Sequence, residues 1–147
     1  MLINIGILDF SMNDKCAAGT GRFLEMMANT LGMKLETFAK EGLHWTEDVK
    51  ISSMCSVFAE SEVISLIAQN KARPDIVHGI NQSIVSRIYA MIARLNCTPV
   101  YMMTGGVAKN KGVVLELSKK LVAEIATDAE PQICGALGAA LIAAERQ

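Results

Sequence analysis

Isoleucine recurs every four residues at Ile76, Ile80, Ile84, Ile88 and Ile92. Four-residue spacing lays side chains along one face of a helix, so this ladder commits residues 75–95 to a long helix with an apolar stripe that other elements must cover. A chain of 147 residues that is 51% hydrophobic can provide that cover within one domain, whereas two domains would be cramped. Its 14 basic and 15 acidic side chains leave no charge excess to recruit nucleic acid or a membrane surface, and the apolar content excludes disorder. The longest stretches free of Lys, Arg, Asp and Glu, 95–108 and 131–144, are 14 residues each. Both fall short of the roughly 18 that a membrane span needs. No secretory signal is visible at Met1–Gly6, so the expected location is the cytoplasm.

Other segments follow from pattern. Leu2 to Met12 reads as a strand. Ala17 to Leu31 reads as a helix, with Phe23, Met26, Met27 and Leu31 at helical spacing and Gly32 as its stop. Residues 34–50 form a polar connection with a short helix at Leu35 to Glu41, and Val57 to Gln69 is helical. Beyond Pro99, Val100 to Thr104 is a short buried strand, and Gly105-Gly106 turns the chain into a helix over Gly112 to Leu121. Val122 to Ala126 is a further strand, and Cys134 to Arg146 a small-residue helix. The alternation gives an α/β fold, a small sheet with several packed helices, and fewer strands than so much helix ordinarily accompanies.

Three stretches carry possible chemistry. Cys16 lies in Asn-Asp-Lys-Cys-Ala-Ala-Gly-Thr-Gly-Arg-Phe (13–23), at the expected start of a helix. Unpaired backbone N–H groups there favour an anion, which lowers a thiol pKa and suits a thiolate ligand. Cys55 repeats the logic: Ser52 or Ser53 is placed to cap, Cys55 falls in the first turn, and Glu60 and Glu62 continue the helix. Spacing alone leaves buried thiols, metal ligands and redox groups all open. If the two bind metal, two thiolates are too few for a tetrahedral sulfur site or a four-cysteine cluster. The remainder comes from Cys97 and Cys134 or from a second copy of the chain. Neither Cys97 nor Cys134 has a context like the first two, which favours a dimer.

The third stretch, a hydrophobic strand ending in Gly105-Gly106 before a helix, lets backbone approach a ligand such as a nucleotide; a tight strand–helix corner would look the same. No P-loop occurs. The terminal stretch around Gly135 permits close packing with or without a ligand. His44 and His78 read as structural or solvated, and the nine methionines as core filler.

Four segments taken in order resemble one family: Met-Asn-Asp-Lys-Cys-Ala-Ala-Gly-Thr-Gly-Arg-Phe-Leu-Glu (12–25), Cys-Ser-Val-Phe-Ala-Glu-Ser-Glu-Val (55–63), Thr-Gly-Gly-Val-Ala-Lys-Asn (104–110) and Pro-Gln-Ile-Cys-Gly-Ala-Leu-Gly-Ala-Ala (131–140). They resemble the activators of 2-hydroxyacyl-CoA dehydratases and the ATPase subunits of benzoyl-CoA reductases, in the carboxy-terminal part of those proteins. The resemblance implies part of an actin/hexokinase-like (ribonuclease H-like) ATPase. Residues 1–147 would form a single domain, the second subdomain without its first strands. It implies a homodimer sharing one 4Fe–4S cluster, with Cys16 and Cys55 as each chain's ligands. ATP binding and hydrolysis would drive an electron into a partner dehydratase or reductase. Gly105, Gly106 and Asn110 match the adenosine-side motif, and Gln132 and Gly135 the motif that closes the nucleotide cleft, with ATP or ADP and Mg as cofactors of full-length relatives. The resemblance assigns this chain no catalytic residue.

Family members are nearly twice as long, and the first subdomain with its phosphate-binding loop has no counterpart here. The chain alone is therefore expected to show weak or no ATPase activity. The competing reading is a non-redox dimerisation or regulatory domain without a cluster; a third is a nucleotide-binding remnant related to sugar kinases.

Overall fold

The isoleucine ladder becomes the longest helix of the computed structural model, which describes residues 6–13, 17, 20–52, 55–95 and 97–145. In chain order the elements are α1 (Gly21–Thr30), α2 (Leu35–Glu41), α3 (Ser56–Ala68), α4 (Arg73–Ile92), β1 (Tyr101–Met103), a 3₁₀ turn (Gly106–Lys109), α5 (Lys111–Leu121), β2 (Ile125–Thr127) and α6 (Cys134–Glu145). Helix α4 opens with proline in its first turn, where the missing N–H costs nothing. Ile76, Ile80 and Ile84 are sealed in the core; Ile88 and Ile92 are only partly covered, so the stripe is best covered at its amino-terminal end.

Around that stripe, α1 contributes Phe23, Leu24, Met27, Ala28 and Leu31, α2 contributes Phe38, α3 Ala59 and Val63, and α5 Val113 and Leu117. Helix α1 stops where Gly32 takes a left-handed φ of 65° and Met33 N–H bonds back to the Ala28 carbonyl at 2.8 Å. The stretch at 43–52 is not a free loop. The buried Asp75 carboxylate accepts from the backbone N–H groups of Thr46 (2.7 Å) and Glu47 (3.0 Å), and Val49 and Ile51 are buried. The Val49 carbonyl presses so closely on Gly79 of α4 that a Cβ there would collide with it. These backbone bonds, from Glu47 and then Thr46, hold the Asp75 pKa below its ordinary 3.8.

The sheet comprises β1 and β2, parallel, with Tyr101 opposite Ile125, Met102 opposite Ala126 and Met103 opposite Thr127. Parallel strands need a crossover, and α5 supplies it along α4.

Three sequence expectations need correction. Residues 2–5 of the expected first strand lie outside the described residues, and 6–12 are not a strand. Their apolar side chains face solvent, with Ile7 86% and Leu8 101% exposed, and no ladder satisfies their backbone groups. Helix α1 begins at Gly21 and not at Ala17; Thr20 is its N-cap. Val122 does not open a strand: it ends α5 in the left-handed conformation, φ 53°, and β2 starts three residues later.

Candidate functional site

Strand β1 delivers the chain to Gly105, whose φ of 85° and ψ of 178° suit a residue without a Cβ. One 3₁₀ turn follows, and Asn110 then caps α5, its side-chain oxygen accepting from Val113 N–H at 3.2 Å. The terminal motif folds back onto this corner. Gly105 N–H donates to the Pro131 carbonyl at 2.7 Å, and the Gln132 amide lies over Gly106, 3.4 Å from where a Cβ would stand. Gly105, Gly106, Asn110 and Gln132 thus meet at one corner. Gly135 lies in the first turn of α6, with no heavy atom within 4 Å of its would-be Cβ.

The corner is bolted to the core by a residue that the motifs did not reveal. Asn81, fully buried on α4, accepts from the Asn110 side-chain amide at 3.3 Å. The Asn81 Nδ2 lies so near Gly42 and Gly112 that a Cβ at either would come within 2.6 and 2.5 Å of it, and this nitrogen has no hydrogen-bond acceptor among the described residues. The one cue in the sequence was an amide set inside an isoleucine ladder, since a buried polar group demands a partner. The amino-terminal end of α1 also reaches the corner, with Gly21 packed against Val107.

Cys16 lies outside the described residues, and α1 begins five residues after it. Cys55 is not in the first turn of α3 but is its N-cap residue, and the cap has no side-chain hydrogen bond. The expected Ser52 cap is employed otherwise: Ser52 N–H (2.8 Å) and its hydroxyl both donate to the Glu62 carboxylate on α3. Glu60 accepts from Thr30 of α1 at 3.0 Å. The two glutamates therefore fasten different segments, one the chain leading to Cys55, the other α1 to α3. The Cys55 thiol is free and exposed, and beside it Val57 and Phe58 are 65% and 66% exposed. Cys97 and Cys134 are also free thiols. Among the described residues, no group of three or more His, Cys, Asp and Glu side chains could hold a metal ion.

His78 is a core residue. Its ring stacks on Trp45, centroids 4.0 Å apart and planes at 6°, and Gln82 Nε2 lies 3.0 Å from its Nε2. Burial pushes its pKa below the ordinary 6.5, partly offset by Glu116 and Asp48. His44 is exposed. A cleft of about 1080 Å³ runs along α4 between residues 11–13 and the last turns of α5, with Lys50, Arg87, Arg94, Lys119 and Lys120 on its walls; it contains none of the corner residues.

A parallel sheet, a Gly-Gly corner at the carboxyl end of β1 and a returning terminal motif define the class: an α/β portion of an actin/hexokinase-like ATPase fold. The chain belongs to the BadF/BadG/BcrA/BcrD ATPase family, which it matches over residues 6–143. It is 50% identical over 135 residues to the (R)-2-hydroxyglutaryl-CoA dehydratase activating ATPase of Acidaminococcus fermentans, covering 92% of this chain and 52% of that protein. It is 47% identical to the activator of lactoyl-CoA dehydratase from Anaerotignum propionicum, covering 95% of this chain and 54% of the other. The solved activator of the 2-hydroxyisocaproyl-CoA dehydratase from Clostridium difficile, with bound ADPNP, superposes with a TM-score of 0.91 at 43% identity, covering 95% of this chain and 52% of that one. The chain spans about half the length of these relatives. No helix among the described residues is long and apolar enough to cross a membrane.

Proposed function

We propose that this chain is the iron–sulfur electron-transfer module of an ATP-dependent activator serving a 2-hydroxyacyl-CoA dehydratase or a related CoA-ester reductase. The observation that carries the reading is Cys55: a free, exposed thiol on the N-cap of α3, with the chain before it fastened by Glu62. The first N–H groups of a helix have no partners within it, so the site favours a thiolate and an anionic group bound to it. Those features fit a cluster ligand, and Cys16 and Cys55 from each of two chains would supply four thiolates around one 4Fe–4S centre. Such a centre, when bound, accepts and donates single electrons at low potential. Exposed Val57 and Phe58 beside the thiol supply apolar surface for the second copy to cover.

Gly105, Gly106, Asn110, Gln132 and Gly135 are the nucleotide-side residues in this reading. Gly105 and Gly106 let a ligand approach the backbone, and Asn110 fixes the start of α5. Gly21 against Val107 gives the corner a direct contact with the helix that follows Cys16, and Asn81 ties the same corner to α4. A shift at the corner would thus reach α1 through packed side chains and not through solvent. Nucleotide hydrolysis belongs to the complete activator, of which residues 1–147 would be one subdomain.

Anaerobic reconstitution with iron and sulfide tests the proposal. Cluster absorbance at about one per two chains is expected. It should be lost in Cys16→Ser and in Cys55→Ser and kept in Cys97→Ser. A chain that stays monomeric and takes up no iron would instead support a dimerisation or regulatory domain without a redox centre.

A further inference from the structure

Helix α6 is anomalous for a chain with this much core: not one of its residues is buried. Ile133, Leu137 and Leu141 recur every four residues as one ridge, and with Ile142 they are each 54–58% exposed. Gly135 and Gly138, with alanines around them, keep the helix surface low, and nothing lies within 4 Å of a Cβ at either glycine. Such a helix is shaped for close packing yet packs on nothing here.

The sheet has the same character. Strand β1 pairs with β2 on one side only, and Val100 and Met102 are 89% and 62% exposed. Residues 6–13 add exposed Phe10 and Met12. Apolar faces and an open strand edge of this extent are ordinarily covered. The relatives are twice as long, and the part shared with them follows their path at a TM-score of 0.91.

We propose that the free edge of β1 and the apolar ridge of α6 form the docking surface for the half of an activator polypeptide that this chain does not span. That half would add an extended strand along β1 through backbone hydrogen bonds and seat apolar side chains on Ile133, Leu137 and Leu141. The proposal concerns assembly and is independent of the cysteine reading, whose test reads iron.

The test co-expresses this chain with the complementary half of the Acidaminococcus fermentans activating ATPase. A one-to-one complex is expected by light scattering, with amide exchange slowed about tenfold or more at 101–103 and 135–145. The double variant Leu137→Glu/Leu141→Glu should weaken the complex about tenfold or more. Because both positions are exposed in the chain alone, its own melting temperature should not move. A complex that leaves α6 exchanging as before, one that forms equally with the double variant, or self-association of this chain through α6 would overturn the proposal. Should the other half not fold separately, joining it ahead of residue 1 gives the same readout: α6 exchange slower than in the chain alone supports docking, and unchanged exchange refutes it.

Discussion

Helices α4 and α6 make a useful pair. Both are rich in apolar residues, yet α4 has nine buried residues and α6 has none. The difference lies in their neighbours. Helix α4 is met by α2, α3 and α5 and crossed by residues 49–51, whereas α6 follows the corner of the sheet out to an uncovered flank. Apolar content therefore says that a helix wants a partner; it does not say that the partner is on the same stretch of chain.

The contrast can be broken by substitution. Phe38→Ala, at a side chain with no exposure, should cost about 3–5 kcal/mol in denaturant unfolding. A loss near zero would mean that the α4 side is not the core. Glycine offers a matched test. Gly79→Ala drives a methyl into the Val49 carbonyl and should cost about 1–3 kcal/mol. Gly138→Ala, in the open on α6, should instead stabilise by about 0.5–1 kcal/mol by raising helix propensity. Equal effects at the two glycines would erase the distinction between the helices.

His78 adds a pH dependence to the α4 side alone. Its folded pKa lies below 6.5, so between the two pKa values the unfolded chain binds more protons. The contribution from the neutral, stacked ring is complete above pH 6.5 and declines as pH falls through the folded value. Urea midpoints measured between pH 8 and pH 5 should decrease, and His78→Gln should flatten that part of the slope. The smallest expected effect is Leu141→Glu, within about 0.5 kcal/mol in the chain alone.

Much of this was legible beforehand because local rules and tertiary context agreed. The Ile76–Ile92 ladder and the Gly-Gly corner announced α4 and the β1–α5 turn, and the four motifs led to the family. The misses have physical causes. Residues 6–12 carry a strand pattern, but a strand exists only against a neighbour. Val122 is β-branched and looks extended, yet the end of α5 requires a left-handed residue there. Ser52 looked like a cap for α3 until Glu62, ten residues on, took its hydroxyl. Asn81 was invisible to motif spacing, since its partner Asn110 is 29 residues away.

The central claim is that residues 16 and 55 are half of a centre completed by a second chain. Native mass spectrometry of anaerobically reconstituted protein tests it most directly. A species of two chains carrying four irons and four sulfides, absent from Cys55→Ser and present in Cys97→Ser, is the predicted result. Iron bound within single chains, or a dimer that forms without iron uptake, would contradict it.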